Sequence, residues 1–414
     1  MKLFLRTFGC RANHYDSEVV RQAAERAGAE LVHTPAEADI ALFNSCAVTA
    51  DAEADLRQGI RRAARANPAL RTVVMGCAAA LDRGALRALP TVDTVVPGAQ
   101  LDLLAVALGL PRSALDDAGA QSTARATLRI QDGCDEHCTF CATTLARGAN
   151  RSRPAAALVA EATRLAAAHP EIVLTGIHIG TYGQDLGGSL SALLEQLVRE
   201  VPTVRFRLSS VEATELDDGL FALLRDAHGR VTPYLHAPLQ SGSDRLLRRM
   251  GRHWYTAERY AEAVERLVDG RPVFGLGADV IAGFPGESEE DHERTLALVE
   301  RLPFTGLHVF PYSRRPGTAA ERLADHVPPP VAARRARELR ELGARKGAAY
   351  RARRAGGLAD VVTVGHGGTR AGLTEDYLTV SLADPATPRG VRLRCRLAAD
   401  GEQLRAIPVQ EPEP

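Results

Sequence analysis

Three cysteines, Cys134, Cys138 and Cys141, fall within eight residues of the stretch QDGCDEHCTFCATTLARG, 131–148. Tetrahedral zinc wants four ligands and a disulfide wants two. A cubic iron–sulfur cluster can be held by three thiolates, leaving one iron open to a ligand that is not protein. A zinc knuckle completed by His137 or by a distant ligand is the alternative. A second pattern involves Cys10, which closes LFLRTFGC, Cys46, which closes IALFNSC, and Cys77, which closes TVVMGC. Each lies just past an apolar run that reads as a buried parallel strand, so all three are expected on one edge of one sheet. Isolated core cysteines would be expected inside strands instead. A second three-cysteine cluster accounts better for the placement. Cys395 differs: in GVRLRCRL it alternates onto one face with Val391, Leu393 and Leu397, opposite Arg392, Arg394 and Arg396. It is expected to be a buried apolar residue and not a ligand.

The elements that must position these residues come in three series. From residue 1 to about 122, the runs LFLRTF, ADIALF and TVVM alternate with helical spacing at 16–28 and 51–66. This predicts a doubly wound parallel sheet. The segment 111–124, PRSALDDAGAQSTA, has linker composition. Between 125 and about 325 six strands are expected, at ATLRIQ, EIVLTG, VRFRLSS, PYLHAPL, VFGLGADVIAG and GLHVFPYS. Six are too few for a closed eight-stranded barrel, so the α/β reading here is an open, partial (β/α)6 barrel with its site at the carboxyl ends of the strands. A helix follows the proline run near 328. The tail then breaks into short β-like runs, DVVTVG, YLTVSL and GVRLRCRL, which suggest a small antiparallel barrel. The expected division is 1–122, 123–355 and 356–414.

Composition bounds the rest. The chain has 414 residues, 45% hydrophobic and 25% charged, with no run of about 18 apolar residues and too short an apolar start for a secretory signal. No membrane association and a cytoplasmic location are therefore expected; thiols stay reduced there and cysteine clusters mean metal or catalysis. Net charge is zero, so contact with nucleic acid needs a local patch. Of 51 Lys and Arg only Lys2 and Lys346 are lysine, the bias of a GC-rich genome, which makes arginine the default cation. The helix 331–354 carries nine Lys/Arg against Glu338 and Glu341. It is either a solvated face or a surface for phosphates, and the Arg392/Arg394/Arg396 stripe has the same two readings.

The CxxxCxxC stretch resembles the radical S-adenosylmethionine (SAM) enzymes, in which SAM chelates the open iron through its amino and carboxylate groups. With GCRANHYDSE, NSCAVTADAEADLRQ and VVMGC before it, and HAPLQSGSDRLLRRMGR and DVIAGFPGE after it, nearly the whole chain resembles the methylthiotransferases. Their tail is an RNA-binding TRAM domain. Cys46-Ala47-Val48-Thr49 is most like the branch that acts on threonylcarbamoyladenosine in tRNA. Ser45 stands where a threonine is usual. The resemblance implies two [4Fe-4S] clusters, SAM, and insertion of a methylthio group at C2 of an adenosine next to the anticodon. It also implies a tRNA anticodon loop as partner, with a reductant and a sulfur donor unidentified. The rival substrates are isopentenyladenosine and a ribosomal protein; the rival class is a non-enzymatic RNA-binding iron–sulfur sensor.

Around SAM, Gly283 and Glu287 of the GFPGE turn resemble a SAM-contacting turn of the family, although a plain tight turn would read the same. Thr175, Gly176, Ser209 and Glu212 end two strands and are candidates for SAM amino and ribose contacts. Gln240 is a further SAM or substrate candidate, and His236 fits a hydrogen-bonded core histidine as well. No catalytic residue beyond the cluster ligands is singled out.

Overall fold

The computed structural model describes residues 1–47, 49–111, 119–226, 229–365, 371–384 and 386–409. The first sheet is parallel throughout and contains β1 (Lys2–Thr7), β2 (Glu30–Val32), β3 (Ile40–Ser45), β4 (Arg71–Gly76) and β5 (Val92–Pro97), in the order β2-β1-β3-β4-β5. Every position of β3 is buried, as a strand covered on both faces requires. Leu42, Val73 and Met75 pack under Val19, Val20 and Ala23 of the helix Arg11–Arg26. Phe43 and Val74 pack on the other face under Leu56 and Ile60 of the helix Ala50–Ala66. The three-residue β2 and the strand β5 escape a periodicity reading, and the first helix starts five residues earlier than expected.

Six parallel strands form the partial barrel. β6 (Ala126–Arg129) leads into a two-residue ladder, β7 (Gln131–Asp132) with β8 (Arg151–Ser152); then follow β9 (Glu171–Thr175), β10 (Arg205–Leu208), β11 (Tyr234–His236), β12 (Gly275–Ala282) and β13 (Gly306–Pro311). β6, β9 and β10 form one half, β11, β12 and β13 the other, and bridges Phe206↔Val231 and Ser210↔His236 join them. Alternation sends Leu128, Ile172, Leu174, Phe206, Leu208, Leu235 and Val280 outward to the helices. The opposite face, the lumen, therefore receives Glu171, Arg205, Arg207, Tyr234, His236, Asp279, His308 and Phe310.

The helix Pro329–Arg354 starts on the expected proline run and buries Ala336, Leu339 and Leu342 against the barrel. The tail closes into a barrel of β14 (Leu358–Thr363), β15 (Ala371–Thr374), β16 (Thr379–Leu382), β17 (Arg392–Asp400) and β18 (Gln403–Pro408), in the order β14-β15-β16-β18-β17. Cys395 and Leu397 lie in its core, as the alternation of β17 requires. The linker expected at 111–124 lies partly outside the described residues; its described end is tied down, with Gln121 bonded to Thr127 and Ser122 to Glu18. Among the described residues no helix is long and apolar enough to cross a membrane.

Candidate active site

Cys10, Cys46 and Cys77 follow β1, β3 and β4, three adjacent strands, at the point where strand order reverses. Such a switch point is where doubly wound sheets bind ligands. Local conformation draws the loops together. Gly9 adopts φ +100°, and a Cβ there would come within 2.6 Å of the Cys46 Cβ. The Asn13 amide donates to Phe8 O (3.0 Å) and Ser45 O (2.8 Å). Ser45 donates to Met75 O (2.5 Å) and accepts from Ala79 N (3.1 Å), tying the Cys46 loop to the Cys77 loop. Thr49 caps the helix that follows, accepting from Ala52 N (3.2 Å), while Val48 lies outside the described residues. Cys46 and Cys77 are buried and Cys10 is exposed.

The second set is held by the barrel. Gln131, fully buried, donates to Gly133 O (2.6 Å) at the start of the cysteine loop and accepts from Ile177 N and His178 N beyond β9. Phe140, between Cys138 and Cys141, meets Phe284 of the GFPGE turn edge-on at 6.4 Å. Thr139 N donates to Met250 O (2.8 Å), and Thr139 O accepts from Ala320 N (2.7 Å). These contacts fix the loop against the barrel.

Each set has one buried arginine against a sulfur. Arg252 Nη1 lies 3.4 Å from Cys138 Sγ and Arg147 Nε lies 3.3 Å from Cys77 Sγ. Burial pushes the Cys138 thiol up to about 12 and the Cys77 thiol up to about 11, against the pull of these guanidiniums. His178 Nδ1 lies 3.5 Å from Cys134 Sγ. Among the described residues, the trio of His, Cys, Asp or Glu whose ligand atoms lie within 4.8 Å of one another is His236, Asp279 and His308. Neither cysteine set closes that far, as bonds of about 2.3 Å to a single zinc would require. Wider-spaced thiols with cationic neighbours suit a negatively charged cube, whose sulfurs accept hydrogen bonds.

Arg147 joins the two sets. It ends the helix Thr143–Arg147, whose first amide faces Cys141 Sγ at 3.4 Å, and its guanidinium also meets Asn13 Oδ1 (2.7 Å), Asp16 Oδ2 (3.0 Å) and Asp132 Oδ1 (3.4 Å). Five helical residues rise only about 7 Å. One short helix therefore carries the chain from one cysteine set to the other.

The sequence-nominated SAM candidates divide. Thr175 O accepts from Ile130 N (2.9 Å), and a Cβ at Gly176 would meet Gln131 O at 2.7 Å. Ser209 follows β10 with its amide on Leu174 O (3.0 Å). Glu212 accepts from Arg252 and from Trp254 Nε1 (2.5 Å). Gln240 is buried with φ +63°, a strained conformation of the kind that collects at ligand sites. Glu287 accepts from Gly283 N (2.6 Å) and Arg335 Nη1 (2.9 Å), and a Cβ on Gly283 would strike Ala332 at 2.4 Å. That turn approaches the helix Pro329–Arg354 closely, so its glycine has a structural reason. His236 pairs with Asp279 at 3.1 Å.

The basic helix changes character in three dimensions. Arg334 and Arg335 pair with Glu289, Arg335 also with Glu287, and Arg354 with Asp376. Acids from other elements offset the charge counted along its sequence. Arg392 is likewise bound to Asp360 and Arg396 to Gly356 O, so the stripe is partly structural. Gln131, Arg147 and Arg252 were not singled out from sequence. Where arginine is the default cation, only contact marks the ones that matter.

Residues 2–97 match a family model described as "Uncharacterized protein family UPF0004", and residues 128–299 match that of the radical SAM superfamily. The chain is 37% identical over 342 residues to the Bacillus subtilis protein named threonylcarbamoyladenosine tRNA methylthiotransferase MtaB, covering 78% of this chain and 75% of the relative. The Aquifex aeolicus protein of the same name is 35% identical, covering 84% and 88%. A Jannaschia sp. protein named tRNA-2-methylthio-N(6)-dimethylallyladenosine synthase is 37% identical, covering 82% and 79%. Among solved structures, the radical SAM methyltransferase TsrM from Kitasatospora setae superposes with a TM-score of 0.59 at 17% identity, over 77% of this chain and 76% of that one, a likeness of fold.

Proposed function

Because the chain belongs to the tRNA methylthiotransferases of the radical SAM superfamily, we propose that it converts N6-threonylcarbamoyladenosine, next to the anticodon of tRNA, to its 2-methylthio form. Its cofactors are two [4Fe-4S] clusters and SAM. When bound, these supply the one-electron chemistry that activates the aromatic C–H and the sulfur and methyl group that replace its hydrogen. Cys134, Cys138 and Cys141 hold the cluster that binds SAM, and Cys10, Cys46 and Cys77 hold the other. The observation that carries this reading is the pair of three-cysteine sets joined through Arg147, with one buried arginine against each. A sensor would need no second three-thiol site.

The residues of this chain have separable tasks. Gln131, Phe140 and Phe284 fix the SAM-side cysteine loop against the barrel. Arg252 and Arg147 offset cluster charge and donate to sulfur, which raises reduction potential. Gln240 and the residues after β9 and β10 line the SAM end of the lumen, and the base, unstacked from a single-stranded loop, enters below it. The tail barrel binds tRNA, an external reductant delivers the electron, and a sulfur donor restores what each turnover removes. The division into 1–122, 123–355 and 356–414 belongs to the same proposal.

Nucleoside mass spectrometry of tRNA from a deletion strain tests it. Loss of methylthio-threonylcarbamoyladenosine, with methylthio-isopentenyladenosine retained, is expected. The reverse pattern would transfer the chemistry to the other substrate, the one named for the Jannaschia relative.

A further inference from the structure

Lumen arginines nearly all reach a carboxylate. Arg205 and Arg207 share Glu171, and Arg129 lies 2.5 Å from Asp16. Arg11 is the exception. It follows Cys10 directly, begins the helix that runs along β6, and among the described residues no carboxylate pairs with it. Its Nη2 donates to the Tyr377 hydroxyl at 2.5 Å. Tyr377 projects from the tail barrel and stacks on the lumen residue Tyr234 at 4.4 Å between ring centroids, and its backbone is held at φ +73°. A bulky residue in that region is an outlier that persists only where surroundings impose it, and such strain gathers at ligand sites.

Above Tyr234 the lumen wall is basic. Tyr234 Oη lies 3.3 Å from His236 Nδ1, and His236 and His308 share the single carboxylate of Asp279 at 3.1 and 3.3 Å. Arg11 is near enough to His308 for its charge to oppose the imidazolium, although the bond to Asp279 still raises that pKa overall. Arg11, and His308 held toward its cationic form by Asp279, thus face one carboxylate at an open part of the lumen, where the His308 side chain is 65% exposed. Such a site accepts an anion through charge-assisted hydrogen bonds.

The substrate reading above supplies one, and this inference rests on it. Threonylcarbamoyladenosine carries a carboxylate on the N6 substituent, on the order of 5 Å of extended chain from N6. C2 lies on the same six-membered ring as C6. A base whose C2 faces the Cys10 set therefore brings its carboxylate within an arginine's length of Cys10. We infer that Arg11, with His308 beside it, binds the threonyl carboxylate of the tRNA substrate and sets specificity for it, and that Tyr377 positions Arg11. An isopentenyl group, wholly apolar, would leave the same cation unpaired, so the pocket selects against it as well as for the acid.

The test uses the full chain, reconstituted anaerobically with both clusters, and anticodon stem–loops carrying the threonylcarbamoyl group as the free acid or as its methyl ester. The wild-type KM should be about 10- to 100-fold higher for the ester, the worth of one charge-assisted hydrogen bond. Arg11→Gln should raise KM for the acid by a similar factor and leave that for the ester within about twofold, abolishing the preference. His308→Asn should narrow it less. Tyr377→Phe should weaken binding of the acid and narrow the preference without abolishing it, as a positioning role requires. Equal losses on acid and ester in Arg11→Gln would mean a phosphate contact or a structural role, and would overturn the inference. Loss of a bound divalent ion other than iron in His308→Asn would overturn it too, making the trio a metal site. A wild type that ignores both forms and turns over an isopentenyl stem–loop would sink the substrate reading itself; unchanged preference in Arg11→Gln with an active wild type would sink this inference alone.

Discussion

The two ends of the barrel lumen are built from the same residue types and do opposite things. At the amino-terminal ends of the strands, Glu171 is fully buried and receives Arg205 (2.6 Å), Arg207 (2.8 Å) and Arg125 (3.1 Å). Burial pushes its carboxyl up, but the guanidiniums outweigh this and hold it well below the usual carboxylate range. Arg205 continues to Asp360 O and Arg207 to Thr374 O, so the network docks the tail barrel onto the lumen floor. Farther up, Arg147 and Arg252 each put a donor on a cysteine sulfur as well as on carboxylates, and backbone strain appears at Gln240. Paired charge makes the floor an anchor. Guanidiniums that reach cysteine sulfur make the upper lumen a site.

The contrast can be broken from either end. Replacing Cys134, Cys138 and Cys141 together by alanine should abolish methylthiolation and remove about four of about eight irons, read by iron analysis of anaerobic protein. The triple replacement of Cys10, Cys46 and Cys77 should remove the other half; full iron there would mean that the upper lumen has one cluster. At the floor, Glu171→Ala leaves Arg207 without a carboxylate and Arg205 with Asp360 alone, and should cost about 3–5 kcal/mol in denaturant unfolding, with loss of activity following only from unfolding.

The same carboxylate predicts an acid limit. Its folded pKa is depressed, so its stabilising contribution is present above the unfolded value of about 4.3 and fades as pH falls toward the folded value. Acid unfolding of the wild type should therefore be steeper than that of Glu171→Gln. Arg147→Ala should lower stability by about 1.5–3 kcal/mol through its charged hydrogen bonds, and shift the reduction potential of the Cys77-side cluster downward. A shift confined to the other cluster would reverse that assignment. Cys395→Ala, in the tail core, should cost only about 1 kcal/mol and leave iron unchanged.

Sequence alone determined what depends on local pattern. Cysteines that end apolar strand-like runs had to emerge on one sheet edge, because parallel strands in a doubly wound layer share one direction. Cys395 had to face inward, because strands alternate with period two. The closely spaced cysteines and the order of strands and helices were legible for the same reason. Which arginines matter was not legible, because a guanidinium takes its role from partners that are remote in the chain. Arg147 finds Cys77 across 70 positions, and Arg11 finds Tyr377 across 366. Glu287, nominated for SAM by its motif, meets Arg335 from a helix 48 residues later. Arg334, Arg335 and Arg354 of that helix looked unpaired for the same reason, since Glu289, Glu287 and Asp376 lie on other elements. A periodic pattern fixes which way a side chain points within its own element. Only packing decides what stands opposite it, and in this molecule the opposing group separates an anchor from a site.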